Sequence, residues 1–245
     1  MKALSPLGNL RVVLSRPRHP GNIGAAARAM KTMGVHRLDL VKPQRYPDAE
    51  AEALASGAGD ILAGAQVHEK LASALEGCVL VAGFTSRPRD LSHPPRALRD
   101  AAMELVAAAR EGGVALVFGN ETTGLSNAEL SRCQRMVMIP ASDDYASLNL
   151  AAAVQVACYE MAVAASAHSL APARSRKRAT AEDVEALHVH IEQAMLASGF
   201  LRPAHPGRLM QRLRRLAARV ELEKEEVAIL RGMLASFERP RGEKG

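Results

Sequence analysis

Residues 139–160 read IPASDDYASLNLAAAVQVACYE, a loop of small polar residues that runs without a break into an apolar helix. From Leu148 to Val163 the side chains are mostly Ala, Leu and Val, which suits a buried helix packed too closely for bulky groups. Ser147 and Asn149 stand at its start, where Ser and Asn are ordinary N-cap residues. The same loop also suits the cradle of a cofactor, a reading that requires partner loops elsewhere in the chain.

Working outward, the residues upstream alternate between apolar strands and helices. LRVVLS (10–15) predicts a buried strand, and RPRHPGNIG breaks it before a helix over 21–33. Further strands are predicted at 36–41, 78–84 (CVLVAGF), 114–118 (VALVF) and 135–139, with helices at 48–55 and 97–110. Ser126 and Glu129 have the spacing of a capping box. This order predicts an α/β fold with a mostly parallel sheet, helices on both faces and ligands at the carboxyl ends of the strands.

Downstream, SLAPARSRKRAT has no apolar period and reads as a linker, which divides the chain into 1–168, a linker at 169–179 and a small all-α unit at 180–245. Thr180 and Asp183 form a second capping box, and Gly199 is placed to end that helix. The next helix, from about residue 206 to 220, sets Leu209, Leu213, Leu216 and Val220 on one stripe and Arg208, Arg212, Arg215 and Arg219 on the adjoining one. A third helix is predicted over 223–238.

Composition narrows the function. The 245 residues are 48% hydrophobic and 24% charged, as in a globular chain, and no apolar run reaches membrane-span length. The start lacks the apolar core and cleavage site of a signal peptide, so a cytoplasmic location is expected. Three cysteines without ligand spacing support neither disulfides nor a metal site and are expected to be small buried side chains. Residues 171–245 carry 15 basic and 10 acidic side chains against 17 and 16 before them, so most of the net +6 charge lies in the last third. That skew suits a polyanion partner, with a solvated helix face as the plainer alternative. Aromatics at 3% disfavour an RNA-stacking sheet.

Taken singly, the loops are ambiguous. GNIG (21–24) is not GxGxxG, no Walker sequence is present, and a Gly-rich turn into a helix is usually only a tight turn. Arg28, among Ala and Met residues that look buried, is expected to be partly buried and to need an anion. Glu121, just after a strand, is either a solvated turn residue or a fixed acceptor.

Together, HPGNIGAAARAM (19–30), LVFGNETTGLSNAEL (116–130) and residues 139–160 resemble, in order and spacing, the three motifs of the SpoU group of SPOUT RNA methyltransferases. ASGFLRPAHPGRLMQRLRRL (197–216) and ILRGMLASFE (229–238) further resemble the bacterial TrmJ branch, which methylates the ribose 2′-hydroxyl of tRNA nucleotide 32. The resemblance implies a trefoil-knotted domain, S-adenosylmethionine in the knot, a homodimer packed through the knots, and tRNA as substrate, with no membrane, DNA or metal partner. Phe84, Thr85, Ser86, Gly119, Ile139, Ala146, Ser147 and Leu148 would hold the cofactor, with Asn149 bracing the loop. Arg28, Asn22, Glu121 and Ser147 would form the catalytic group, and Arg208, Arg212, Arg215 and Arg219 would meet RNA. Asn120 departs from the Arg expected there in many chains of this branch. Alternatives are ribose methylation at another tRNA or rRNA site, and a non-catalytic RNA-binding protein on the same fold. An NAD-binding oxidoreductase is disfavoured by the missing GxGxxG.

Overall fold

The computed structural model describes residues 6–86, 94–142, 144–167, 178–201 and 209–238. In chain order the elements are β1 (Leu10–Ser15), α1 (Pro20–Thr32), β2 (Arg37–Val41), α2 (Ala49–Ala55), α3 (Gly59–Ala63), β3 (Gln66–His68), α4 (Leu71–Ala74), β4 (Cys78–Phe84) and β5 (Arg96–Ala97). They continue with α5 (Leu98–Ala108), β6 (Gly113–Phe118), α6 (Asn127–Leu130), β7 (Arg135–Met138), α7 (Leu150–Ala167), α8 (Ala181–Ala197), α9 (Leu209–Val220) and α10 (Lys224–Glu238).

Seven strands form one sheet in the order β3-β2-β1-β6-β4-β7-β5, and every pairing is parallel. Because side chains alternate across a strand, β1 sends Leu10, Val12 and Leu14 to one face and Val13 to the other. The first face packs against α1, α5 and α7, and the second against α4 and the segment around Leu125 to Cys133. Burial on both faces explains why the strands read as continuous apolar runs. The chain runs one way from β1 through β2 to β3, and β6, β4, β7 and β5 lie on the other side. That reversal beside β1 is a switch point, where loops diverge and leave a crevice.

Glycine in α1 serves packing. A Cβ on Gly24 would lie 2.0 Å from the Ala51 carbonyl oxygen, so only glycine lets α2 approach this closely. The GNIG glycines therefore sit inside the first turns of α1 and do not form the tight turn that a Gly-rich sequence suggested.

The helical unit has a small core of Ala179, Leu187 and Val227, bordered by Val184, Ile191, Leu222, Leu230 and Leu234. It docks on the sheet domain largely through polar ties. The Glu182 carboxylate accepts from the Gly77 N–H at 2.8 Å, Glu185 pairs with Arg132 at 3.2 Å, and Arg178 pairs with Glu111 at 3.4 Å. Glu221, in a left-handed conformation at φ 53°, is ion-paired with Arg135 of β7. Residues 168–177, most of the expected linker, lie outside the described residues.

On α9 the apolar stripe is not wholly covered: Leu216 and Val220 are 56% and 58% exposed, and Ala218 is the buried residue. Helix α9 is tied to α8 through Arg214, a residue outside the predicted stripes that donates to both Glu185 oxygens.

Candidate active site

The register places the carboxyl ends of β1, β6, β4 and β7 along one edge, with Leu14 beside Phe118 and Phe84 beside Val137. The Phe84 and Phe118 rings stack at 4.2 Å between centroids. Beyond them, three loops enclose a pocket of about 280 Å³. Its walls include Phe84, Thr85, Ser86, Gly119, Glu121, Ile139, Ala146, Ser147 and Leu148, so eight of the nine expected cofactor residues converge on one space. Asn120, Thr122, Thr123, Gly124, Leu125, Leu150 and Ala153 complete the lining. Most of these fill gaps between the expected residues, and their closeness in sequence was the signal that could have found them.

The loop after β6 is folded by its own side chains. A Cβ on Gly119 would lie 2.1 Å from the Gly124 backbone, and Gly124 takes φ 65°, so both positions require glycine. Asn120 Oδ1 accepts from the Thr122 and Thr123 N–H groups at 3.0 and 2.8 Å, an Asx turn. The residue that departs from the family pattern thus shapes the loop.

A chain of amide contacts ties the three loops together. Glu121 accepts from the backbone N–H groups of Arg18 (2.9 Å) and His19 (3.1 Å) and from Asn22 Nδ2 (2.8 Å). Asn22 Oδ1 in turn accepts from Asn149 Nδ2 at 2.9 Å. Asn149 Oδ1 accepts from the Ala151 and Ala152 N–H groups at 2.9 and 3.3 Å, which makes Asn149 the N-cap of α7. Burial pushes the Glu121 carboxyl up, but the donors from Asn22, Arg18 and His19 outweigh it and hold its pKa below the ordinary value. Glu121 is therefore a fixed acceptor. A second carboxylate, Glu129, receives Ser15, Ser126 and the Arg16 guanidinium and joins the end of β1 to α6.

Arg28 departs from expectation. It is exposed, on the outward face of α1 with Thr32, and among the described residues it forms no ion pair and does not line the pocket. Ile23, Ala26, Ala27 and Met30 take the core face, and the helical period turns Arg28 away from it. Arg212 and Arg219 are exposed on α9, Arg215 is half-buried, and Arg208 lies outside the described residues. A larger cavity of about 600 Å³ lies between the helical unit and β4 and holds none of the expected residues. Cys78, Cys133 and Cys158 are buried free thiols, as expected. Among the described residues there is no cluster suited to a metal, and no helix is long and apolar enough to cross a membrane.

A parallel sheet with a crevice at its switch point and three motif loops chained around it defines a methyltransferase of the SpoU kind. The sequence profile of the SpoU rRNA Methylase family matches residues 9–159, and the chain belongs to that family. Residues 182–244 match a second profile, that of the tRNA methyltransferase TrmJ, C-terminal domain. The chain is 47% identical to the tRNA (cytidine/uridine-2'-O-)-methyltransferase TrmJ of Klebsiella pneumoniae, across 95% of this chain and 97% of that one. It superposes on the crystal structure of TrmJ from Z. mobilis ZM4 with a TM-score of 0.83 and 31% identity, over 94% and 99% of the two chains. A probable methylase family protein from Haemophilus influenzae Rd KW20 matches with a TM-score of 0.64 and 39% identity, over 95% and 97%. The SPOUT fold class with a C-terminal helical unit is thus the one the sequence led us to expect.

Proposed function

We propose that this chain is an S-adenosylmethionine-dependent tRNA ribose 2′-O-methyltransferase acting on nucleotide 32 of the anticodon loop, cytidine or uridine. The observation that carries the reading is the pocket itself, in which the three motif loops meet and are chained through Glu121, Asn22 and Asn149. Likeness to TrmJ proteins along nearly the whole chain supports the choice of tRNA. The working unit is a cytoplasmic homodimer. Tyr159 and Val163 leave an apolar stripe exposed on α7 at 50% and 46%, which supports a second copy packed there.

The pocket suits the cofactor. Phe84, Leu125, Ile139, Leu148 and Leu150 give apolar walls for a purine, and the Gly119 cradle brings backbone groups close. Thr85, Ser86, Ala146, Ser147 and Leu148 offer polar backbone groups for ribose and carboxylate, and Asn149 braces their loop. When bound, the cofactor supplies a methyl group already activated on a sulfonium. The chain's task is to align the ribose oxygen with it and to help remove one proton.

Glu121 is a poor proton acceptor, since its oxygens are occupied by donors and its pKa is lowered. It fixes the loop, and Asn22 passes that order to α7. Arg28 is also a poor base, with a guanidinium pKa above about 12. Its exposure on α1 suits delivery to the partner subunit's pocket, where it binds a substrate phosphate or stabilises the developing alkoxide. Water or another acceptor takes the proton, and Ser147, at the pocket wall, contacts substrate or cofactor. The residues 1–168 carry this chemistry, and 180–245, with Arg208, Arg212, Arg215 and Arg219, meet the RNA backbone. Arg28→Ala tests the scheme. A fall in the methylation rate of about 100-fold or more, with folding intact, is expected; a rate near wild type removes Arg28 from the central role.

A further inference from the structure

The loop between β1 and α1 carries a cation whose surroundings differ from those of its neighbours. Arg16 gives its guanidinium to Glu129 at 2.7 Å. Lys42, after β2, faces Glu69, and Arg45 faces Asp48 and Glu50. Each of these has a carboxylate within ion-pair range. Arg18 is exposed, and among the described residues its side chain forms no ion pair and donates to the Thr122 hydroxyl Oγ1 at 3.0 Å.

The position of Arg18 is also set from below. Its backbone N–H donates to Glu121 at 2.9 Å, and Glu121 and Thr122 both line the pocket. The side chain is therefore tethered at both ends to the loop that forms the pocket wall. A guanidinium held in place in this way loses less freedom on meeting an anion than a free surface arginine does. Its planar fork, with one N–H given to Thr122, retains donors for phosphate oxygens.

On these grounds we infer that Arg18 is a substrate-positioning residue that binds a backbone phosphate of the RNA beside the target ribose at the pocket mouth. The inference rests on the RNA-methyltransferase reading above and adds a contact on the sheet domain to those of α9. It also gives Thr122 a part, as the acceptor that aims the guanidinium.

The test compares wild type, Arg18→Ala and Arg18→Lys on unmodified tRNA, with affinity measured at several salt concentrations and steady-state kinetics alongside. Arg18→Ala retains the backbone N–H that Glu121 holds, so the loop is kept. The expected result is a rise in tRNA KM of about fivefold with kcat little changed, because a phosphate contact is shared by ground and transition states. The slope of log affinity against log salt falls by about 0.7 to 1, the loss of one neutralised phosphate. Arg18→Lys keeps the slope and recovers part of the KM, while S-adenosylmethionine affinity measured by calorimetry stays at the wild-type value in both variants. An unchanged salt slope in Arg18→Ala overturns the inference. So does loss of cofactor affinity, which would make Arg18 a structural part of the loop. A wild-type protein that methylates no tRNA removes the parent reading instead, and that outcome is seen before any variant is made.

Discussion

Asn149 does two things with one amide. Its oxygen caps α7 and its nitrogen holds Asn22, so the cap and the link between motif loops are the same residue. The two roles separate by substitution. Asn149→Ala loses both, with a stability cost of about 1 kcal/mol from the cap and a Tm lower by about 2–4 °C. Asn149→Asp keeps an acceptor for the cap and loses the donor to Asn22, so Tm stays near wild type while cofactor affinity falls, as calorimetry can show. Wild-type affinity in the Asp variant would mean that the Asn22 contact does not order the pocket. Glu121 makes a second prediction. Because its folded pKa is lowered, its contribution is complete above its ordinary value of 4.5 and is lost as pH falls through the folded pKa, so loop order measured by cofactor binding declines only in acid. The three thiols give a third. Burial pushes Cys78 up to about 11 and Cys133 and Cys158 up to about 12, so they should resist a thiol reagent at pH 8 until the protein is unfolded.

Among the elements, α1 depends on Gly24. In Gly24→Ala the new methyl meets the Ala51 backbone, α2 must move, and a destabilisation of about 1–3 kcal/mol is expected in urea unfolding. Helix α8 carries a pH response. His188 is 3% exposed and its pKa is lowered to about 4, first by burial and then by Arg214, with Arg132 adding to this and Glu185 opposing it. A depressed histidine favours folding fully above its ordinary 6.5 and loses that contribution as pH falls toward 4. Stability should therefore drop by up to about 3 kcal/mol across that window, and His188→Leu should flatten the profile. The sequence made the long elements plain, because continuous apolar runs and capping boxes at Ser126 and Thr180 are local signals. It hid β3, β5, α3 and α4, which are two to five residues long and take their order from neighbours. It showed the stripes of α9 without showing what covers them, since an apolar stripe does not say whether this subunit supplies a partner. The pocket residues were legible through the resemblance of the three motif loops, with strand ends giving only the general place, whereas the outward turn of Arg28 depends on how α1 packs.

At the scale of the whole molecule, the polar docking of the helical unit and the basic side chains of α9 suit a part that binds RNA while the sheet domain holds the chemistry. Deleting residues 171–245 should leave cofactor binding intact, weaken tRNA binding and flatten its salt dependence; unchanged binding and methylation would remove the contact-surface role. The proposed homodimer predicts complementation between subunits. Arg28→Ala mixed with a pocket variant such as Gly119→Val, each inactive alone, should regain activity if Arg28 serves the partner's pocket. The central claim is tested most directly by mass-spectrometric mapping of ribose methylation on unmodified tRNA incubated with the protein and S-adenosylmethionine. A single new 2′-O-methyl group at nucleotide 32 is the predicted result, and methylation elsewhere, or none, contradicts it.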